Sequence, residues 1–240
     1  MRYAILSDIH SNIEALEAVV VELRNREISK VICLGDTVGY GANPNECCNL
    51  VREISECAIL GNHDAGSIGL TNLSHFHSLA KEVCVWTSKT LTPENISWLK
   101  SLPFQKNYNN SLLSHSAPSK PERWHYLSSM NDAINEFPVC GHICFVGHTH
   151  VSVTFAKVDN KYKIITNPKF SINPDYNYII NPGSVGQPRD RNANSSFAIY
   201  DSEIGEIETV RISYDIDAAQ KKIINAGLPK SLAERLSSGT

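Results

Sequence analysis

No stretch of this sequence comes near the roughly 20 consecutive apolar residues that a membrane-spanning helix requires. The apolar start YAIL is interrupted by Asp8 and His10, which leaves it too short for a signal peptide. Charge of one sign is also lacking: 22 Lys and Arg stand against 25 Asp and Glu, a net of −3, and no block of like charge stands out. That balance excludes the basic surface of a general nucleic-acid binder and the polybasic patch of a membrane-surface protein. The seven cysteines are odd in number and include no CxxC pair, which argues against a disulfide framework and against a zinc ribbon. Reduced, buried thiols are expected instead, in a soluble protein of the cytoplasm. Internal repeats, low-complexity segments and linkers are absent too, so residues 1–240 are expected to form one domain.

What is present is strand and helix in alternation. RYAILS, KVICLG and CAILGN are short aliphatic runs, each followed by a turn rich in Gly, Asp or Asn. Asn12 can cap a helix whose apolar residues Ile13, Leu16, Val20 and Leu23 recur at three and four, and Asn43-Pro44 opens another. This order predicts right-handed crossovers and a parallel sheet. Residues 72–102 read as helical, with Thr92-Pro93-Glu94 starting a second helix and Trp86 and Trp98 as core residues. Strands then resume as SLLSH, ICFVG, VSVTFAKV, KYKIIT, NYIIN, SFAIY and EIETVRI, which predicts a mostly antiparallel second half before one or two short terminal helices. The expected fold is α/β: a four-layer αββα sandwich of two mixed sheets flanked by helices.

Ligand-binding groups in α/β sheets collect beyond the carboxyl ends of strands. Asp8 and His10, then Asp36, then Asn62, His63 and Asp64, then His115, then His148 and His150 follow five separate strands. A lone His or Asp in a turn is more often a cap or a surface group than a ligand. Five coincident strand ends outweigh that reading. Two carboxylates, four imidazoles and one amide form an oxygen and nitrogen donor set without thiolate, suited to Mn, Fe, Zn, Co or Ni. Seven side chains are too many for one ion, and suit two if one carboxylate bridges.

The series DIH, GD, GNHD, the histidine of SHSAP, and GHTH resembles the calcineurin-like binuclear metallophosphoesterases. PERWHYL and NPGSVGQPRD look like the compact prokaryotic phosphodiesterase branch of that family. The resemblance implies Asp8, His10 and His150 on one divalent ion, Asn62, His115 and His148 on the other, and Asp36 bridging. Mn is the first expectation for both ions. It implies hydrolysis of a phosphodiester, or a phosphomonoester, by a hydroxide held between the ions. His63, left outside the ligand set, is assigned to stabilising the transition-state oxygen or protonating the leaving alkoxide. Asp64 is its expected orienting partner, against the plainer reading of a turn cap. Arg189 is expected to contact phosphate, against an ordinary surface salt bridge.

A phosphate-ester small molecule or nucleotide is the implied partner, with no membrane and no stable nucleic-acid complex. Among the other histidines, His77 is placed at the pocket's edge, His75 away from any second HxH site, and His125 and His142 outside the chemistry. Three other readings stay open: a serine/threonine protein phosphatase, a dinucleoside polyphosphate hydrolase, and a metal-free interaction scaffold. The protein phosphatases continue GD as GDYVDRG, whereas this chain reads GDTVGYG, with Gly39 and Tyr40 in place of Asp and Arg.

Overall fold

The computed structural model describes residues 1–240, beginning with β1 (Arg2–Leu6), α1 (Ile13–Asn25), β2 (Lys30–Cys33), α2 (Pro44–Ile54), β3 (Ser55–Ala58) and α3 (Asn62–Ser67). The side chains of β1 alternate as the pleat requires: Tyr3 and Ile5 enter one apolar layer, Ala4 and Leu6 the other. Asn12 caps α1 by accepting from the Ala15 N–H, which turns Leu16, Val19 and Leu23 onto the sheet. Two longer helices follow, α4 (Ser78–Thr90) and α5 (Pro93–Ser101), the second capped by Thr92.

The rest of the chain runs β4 (Gln105–Tyr108), β5 (Ser111–Ser114), α6 (Met130–Ile134), α7 (Phe137–Cys140), β6 (Ile143–Phe145), β7 (Ser152–Val158) and β8 (Lys161–Ile165). It continues as β9 (Lys169–Ser171), β10 (Asn177–Pro182), β11 (Ser195–Asp201), β12 (Glu206–Ile212), α8 (Ile216–Asn225) and α9 (Lys230–Ser238). No helix is long and apolar enough to cross a membrane.

Two six-stranded mixed sheets result, ordered β3-β2-β1-β11-β12-β9 and β4-β5-β6-β10-β7-β8. The division into a parallel first half and an antiparallel second half does not hold. β9, β11 and β12 return to the first sheet, where β11 runs antiparallel to β1, while β5, β6 and β10 form a parallel centre in the second. Periodicity identifies a strand but leaves its neighbour to tertiary packing. Between the sheets Ile5, Ile32, Leu34 and Ile59 meet Leu113, Phe145, Tyr178 and Ile180. The outer face of the second sheet, with Cys144, Phe155 and Ile179, packs on Phe137 and Cys140 of α7, which completes the four layers. Trp86 and Trp98 are partly buried against the helical clusters, as expected.

Candidate metal centre

The carboxyl ends of β1, β2 and β3 from one sheet and of β5 and β6 from the other converge on one buried point. Asp8, Asp36 and His115 there are fully buried, and His10, His148 and His150 are nearly so. Three sets of donor atoms each lie within 4.8 Å of one another: Asp8 with His10 and His150, Asp36 with His115 and His148, and His10 with Asp36 and His63. The first two sets match the grouping that the resemblance implies. The third brings His63 closer to the donors than its place outside the ligand set suggested, with its ring edge-on to His10 at 4.9 Å between centroids.

Backbone geometry, rather than strand pleating, aims these side chains. Asp8, His10, Asp36, His148 and His150 all have positive φ, between 51° and 70°. Strand alternation does not set the directions of His148 and His150: β6 ends at Phe145, and both histidines sit in a left-handed loop. Such conformations cost about 1 kcal/mol or more each, so five are on the order of a domain's whole net stability. Dense loop packing must offset them. Asn181 donates to Gly147 O at 2.7 Å, Ser184 donates to Asp8 O at 2.7 Å, and Gly186 N–H donates to the same oxygen at 3.0 Å. At Gly61 an added Cβ would lie 2.1 Å from Asp36 Oδ1, and at Gly147 2.0 Å from Ser7 Oγ. These glycines let backbone approach the carboxylate-bearing loops.

Each candidate imidazole ligand has one nitrogen against a backbone carbonyl. Nδ1 of His10 lies 3.1 Å from Val38 O, Nδ1 of His115 2.8 Å from Leu34 O, Nδ1 of His150 2.6 Å from Gln187 O, and Nε2 of His148 2.9 Å from Trp124 O. A carbonyl only accepts, so these nitrogens donate, and the other nitrogen of each ring faces the centre, where it offers a lone pair whenever the ring is neutral. The carboxylates match. Asp8 Oδ2 accepts from the His148 N–H and Asp36 Oδ1 from the His63 N–H, while Asp8 Oδ1 and Asp36 Oδ2 are buried without a hydrogen-bond partner. Asn62 Oδ1 lies 3.2 Å from His115 Nε2. Converging lone pairs and orphaned carboxylate oxygens are the chemistry of a cation site, and the buried clusters are consistent with two ions.

Charge is unevenly held. Burial pushes the Asp8 carboxyl up to about 6, whereas for Asp36 the imidazoles of His115, His63 and His10 overcome burial and hold it well below the carboxylate range. His115, against burial, is drawn up to about 9 by Asp36 and Asp8. Burial lowers His148 to about 3 and His63 to about 4, and takes His10 and His150 well below their ordinary value.

Asp64 does not orient His63. Its Oδ1 accepts from the Val38 N–H at 2.9 Å and its Oδ2 from the Gly61 N–H at 3.0 Å, which makes it a cap of α3 and a tie to the Asp36 loop. Nδ1 of His63 lies instead 3.8 Å from Cys84 Sγ. Arg189 lies at the rim with its guanidinium carbon 5.4 Å from the centre of the Tyr40 ring, and takes part in no salt bridge. His77 lines the cleft above the centre as expected. His75 does too, because a single helical turn before α4 brings it there. His125 is exposed and His142 packs at the edge of Tyr178. Sequence reasoning noted Tyr40 only as the residue in place of an arginine, and passed over Tyr126; the Tyr40 ring lies 4.7 Å from His10 and 4.4 Å from His63, and Tyr126 is stacked on His148 at 3.9 Å.

Known proteins share this fold. A metallophosphoesterase from Sphaerobacter thermophilus has a similar structure, with a TM-score of 0.87 and 34% identity over 100% of this chain and 99% of that one. The hypothetical protein PH1004 of Pyrococcus horikoshii shares the fold, with a TM-score of 0.79 at 20% identity over 100% and 98% of the two chains. The uncharacterized protein MJ0912 of Methanocaldococcus jannaschii is 42% identical over 97% of this chain and 96% of its own length. Residues 1–205 match the model of the calcineurin-like phosphoesterase superfamily domain. With that match over most of its length, and with the Asp and His clusters assembled at its strand ends, the chain belongs to the calcineurin-like phosphoesterase superfamily.

Proposed function

We propose that the protein hydrolyses phosphodiesters with two divalent cations, Mn in the first instance. Asp8, His10 and His150 would hold one and Asn62, His115 and His148 the other, with Asp36 shared between the two sets. The observation that carries this reading is the set of four imidazoles whose outer nitrogens are tied to carbonyls while their inner nitrogens face two unpartnered carboxylate oxygens. When bound, such ions supply Lewis-acid charge to phosphoryl oxygens and acidify water at neutral pH.

The chain's own residues supply position. Loop hydrogen bonds keep the donor atoms convergent, and burial of the donors limits the access of competing water. His63, on the wall of the cleft, donates a hydrogen bond to oxygen that gains charge as the ester bond breaks. Its backbone N–H anchors Asp36 at 2.7 Å, which couples its placement to the centre. Arg189 attracts the anionic substrate to the rim. The seven buried, unpaired thiols fit a reducing compartment, hence the cytoplasm.

Metal analysis of the purified protein, together with turnover of bis(p-nitrophenyl) phosphate in Mn before and after chelation, tests this. Two bound ions and chelator-sensitive hydrolysis are expected. A folded protein that retains no metal and cleaves no ester would favour the scaffold reading.

A further inference from the structure

A cavity of about 480 Å³ opens beside the metal centre, between α4, the Arg189 loop and the C-terminal helix α9. Tyr40, His77 and Tyr126 line both this cavity and the cleft that contains Asn62, His63 and His148, so the two spaces adjoin. Its charge is of one sign. Arg189 and Arg235 both line it, and no acidic side chain does.

Neither guanidinium pairs with an Asp or Glu side chain, whereas Arg26 and Arg211 do. Arg189 donates from Nη2 to Gln187 Oε1 at 2.9 Å, and its Nε is buried without a partner. Arg235 donates from Nε to the backbone oxygen of Thr240 at 2.6 Å, which leaves its two terminal nitrogens without a protein acceptor. Two cations held together with no acidic side chain beside them repel each other. Burial and the nearby Arg189 both lower the pKa of Arg235. An arrangement that costs stability in this way, and that carries free donor forks, is suited to an anion with several acceptor oxygens.

We propose that Arg189 and Arg235 form a second phosphate subsite, which holds a phosphate group borne by the same molecule as the scissile ester. The inference rests on the phosphoesterase reading and narrows it to substrates with two phosphates. A phosphate dianion matches both guanidiniums, whereas a carboxylate leaves one charge unanswered. Tyr126, 54% exposed, offers an aromatic face between the subsite and the metal centre, where the part of the substrate that joins its two phosphates can lie. Arg235 lies beyond residues 1–205, the part shared with the family model, so the C-terminal helix adds specificity to the common core.

The test compares thymidine 5′-(p-nitrophenyl phosphate) with the same ester carrying a 3′-phosphate, using the Mn-loaded full chain. The wild type should favour the 3′-phosphorylated ester by about tenfold or more in kcat/KM, through KM, as expected for one or two charge-assisted hydrogen bonds. In Arg235→Gln that ratio should fall towards one, with Arg235→Lys between. A ratio near one in the wild type, or one that Arg235→Gln leaves intact, overturns the subsite. Calorimetry supplies a second readout independent of turnover: the wild type should bind thymidine 3′,5′-bisphosphate about tenfold tighter than thymidine 5′-monophosphate, and Arg235→Gln should not. If neither ester turns over, the phosphoesterase reading fails, and the binding comparison still decides the subsite.

Discussion

His10 and His150 face each other nitrogen to nitrogen, with their Nε2 atoms 3.0 Å apart and their Nδ1 atoms against the carbonyls of Val38 and Gln187. Because each carbonyl requires the proton on Nδ1, two neutral rings in this arrangement oppose lone pair to lone pair. A cation between them and Asp8 Oδ1 converts that repulsion into attraction.

Metal should therefore stabilise the fold. At about 100 times its Kd, a ligand confined to the native state adds roughly 2.7 kcal/mol, which for a chain of this size raises Tm by about 5–10 °C. Thermal unfolding followed by circular dichroism with Mn and with excess chelator measures it. Coincident transitions would mean that the lone pairs do not hold an ion.

Asp36 stands between both donor groups, its Oδ2 3.6 Å from His10 Nε2 and 3.2 Å from His115 Nε2. Asp36→Asn keeps an oxygen for the His63 N–H but removes the charge that both sets share. Metal content should fall at both positions, and turnover by at least about 10²-fold, with a circular dichroism spectrum like that of the wild type. Two tightly held ions and a near-normal rate in the variant would remove Asp36 from the shared position.

Much of this centre was legible in the chain because strand ends are local features. An aliphatic run that stops at DIH, GD, GNHD, SHS or GHTH identifies the loop and its donors, and the structure brings all seven donor-bearing side chains together. The directions of those side chains were not legible. Asp8, His10, Asp36, His148 and His150 take left-handed backbone conformations that propensity disfavours and only surrounding packing can impose. Asp64 misled for a related reason. Adjacency to His63 suggested partnership, yet at the start of α3 its carboxylate meets the backbone N–H groups of Val38 and Gly61. Arg235 left no local signal, because only the docking of α9 turns it towards Arg189.

No carboxylate hydrogen-bonds to the His63 ring: Asp64 is engaged elsewhere, the neighbour of Nδ1 is the Cys84 thiol, which burial pushes up to about 12 and so keeps neutral, and burial outweighs the pull of Asp36 to lower the imidazole to about 4. A hydrogen-bond donor fits that setting better than a proton shuttle. His63→Ala should retain its metal and lose about 10²-fold in kcat. The loss should be equal for aryl and alkyl diesters, because charge stabilisation does not depend on how readily the leaving group departs. A markedly smaller loss for the aryl ester would restore the general-acid role.

The last prediction concerns the ester itself and follows from Gly39 and Tyr40, which replace the Asp and Arg of the protein phosphatase pattern. The Gly39 position cannot take a side chain without displacement: φ is +102°, and an added Cβ would lie 2.6 Å from His63 Nδ1. Tyr40 places a neutral ring against His10 and His63, and Arg189 lies across that ring, 5.4 Å from its centre, near enough for its charge to lower His150, His10 and His63 but with no side-chain hydrogen bond to them. The scissile phosphate is therefore expected to meet metal charge without a guanidinium next to it. A monoester dianion gains more from added guanidinium charge than a diester monoanion does, so its recognition is weakened more. The Mn-loaded enzyme should hydrolyse bis(p-nitrophenyl) phosphate with a higher kcat/KM than p-nitrophenyl phosphate or a phosphoserine peptide, all measured at one pH and one metal concentration. Gly39→Ala should lower all three rates together by displacing His63. A clear preference for the phosphopeptide would assign the protein to the phosphatases, with Arg189 reaching the scissile group around Tyr40.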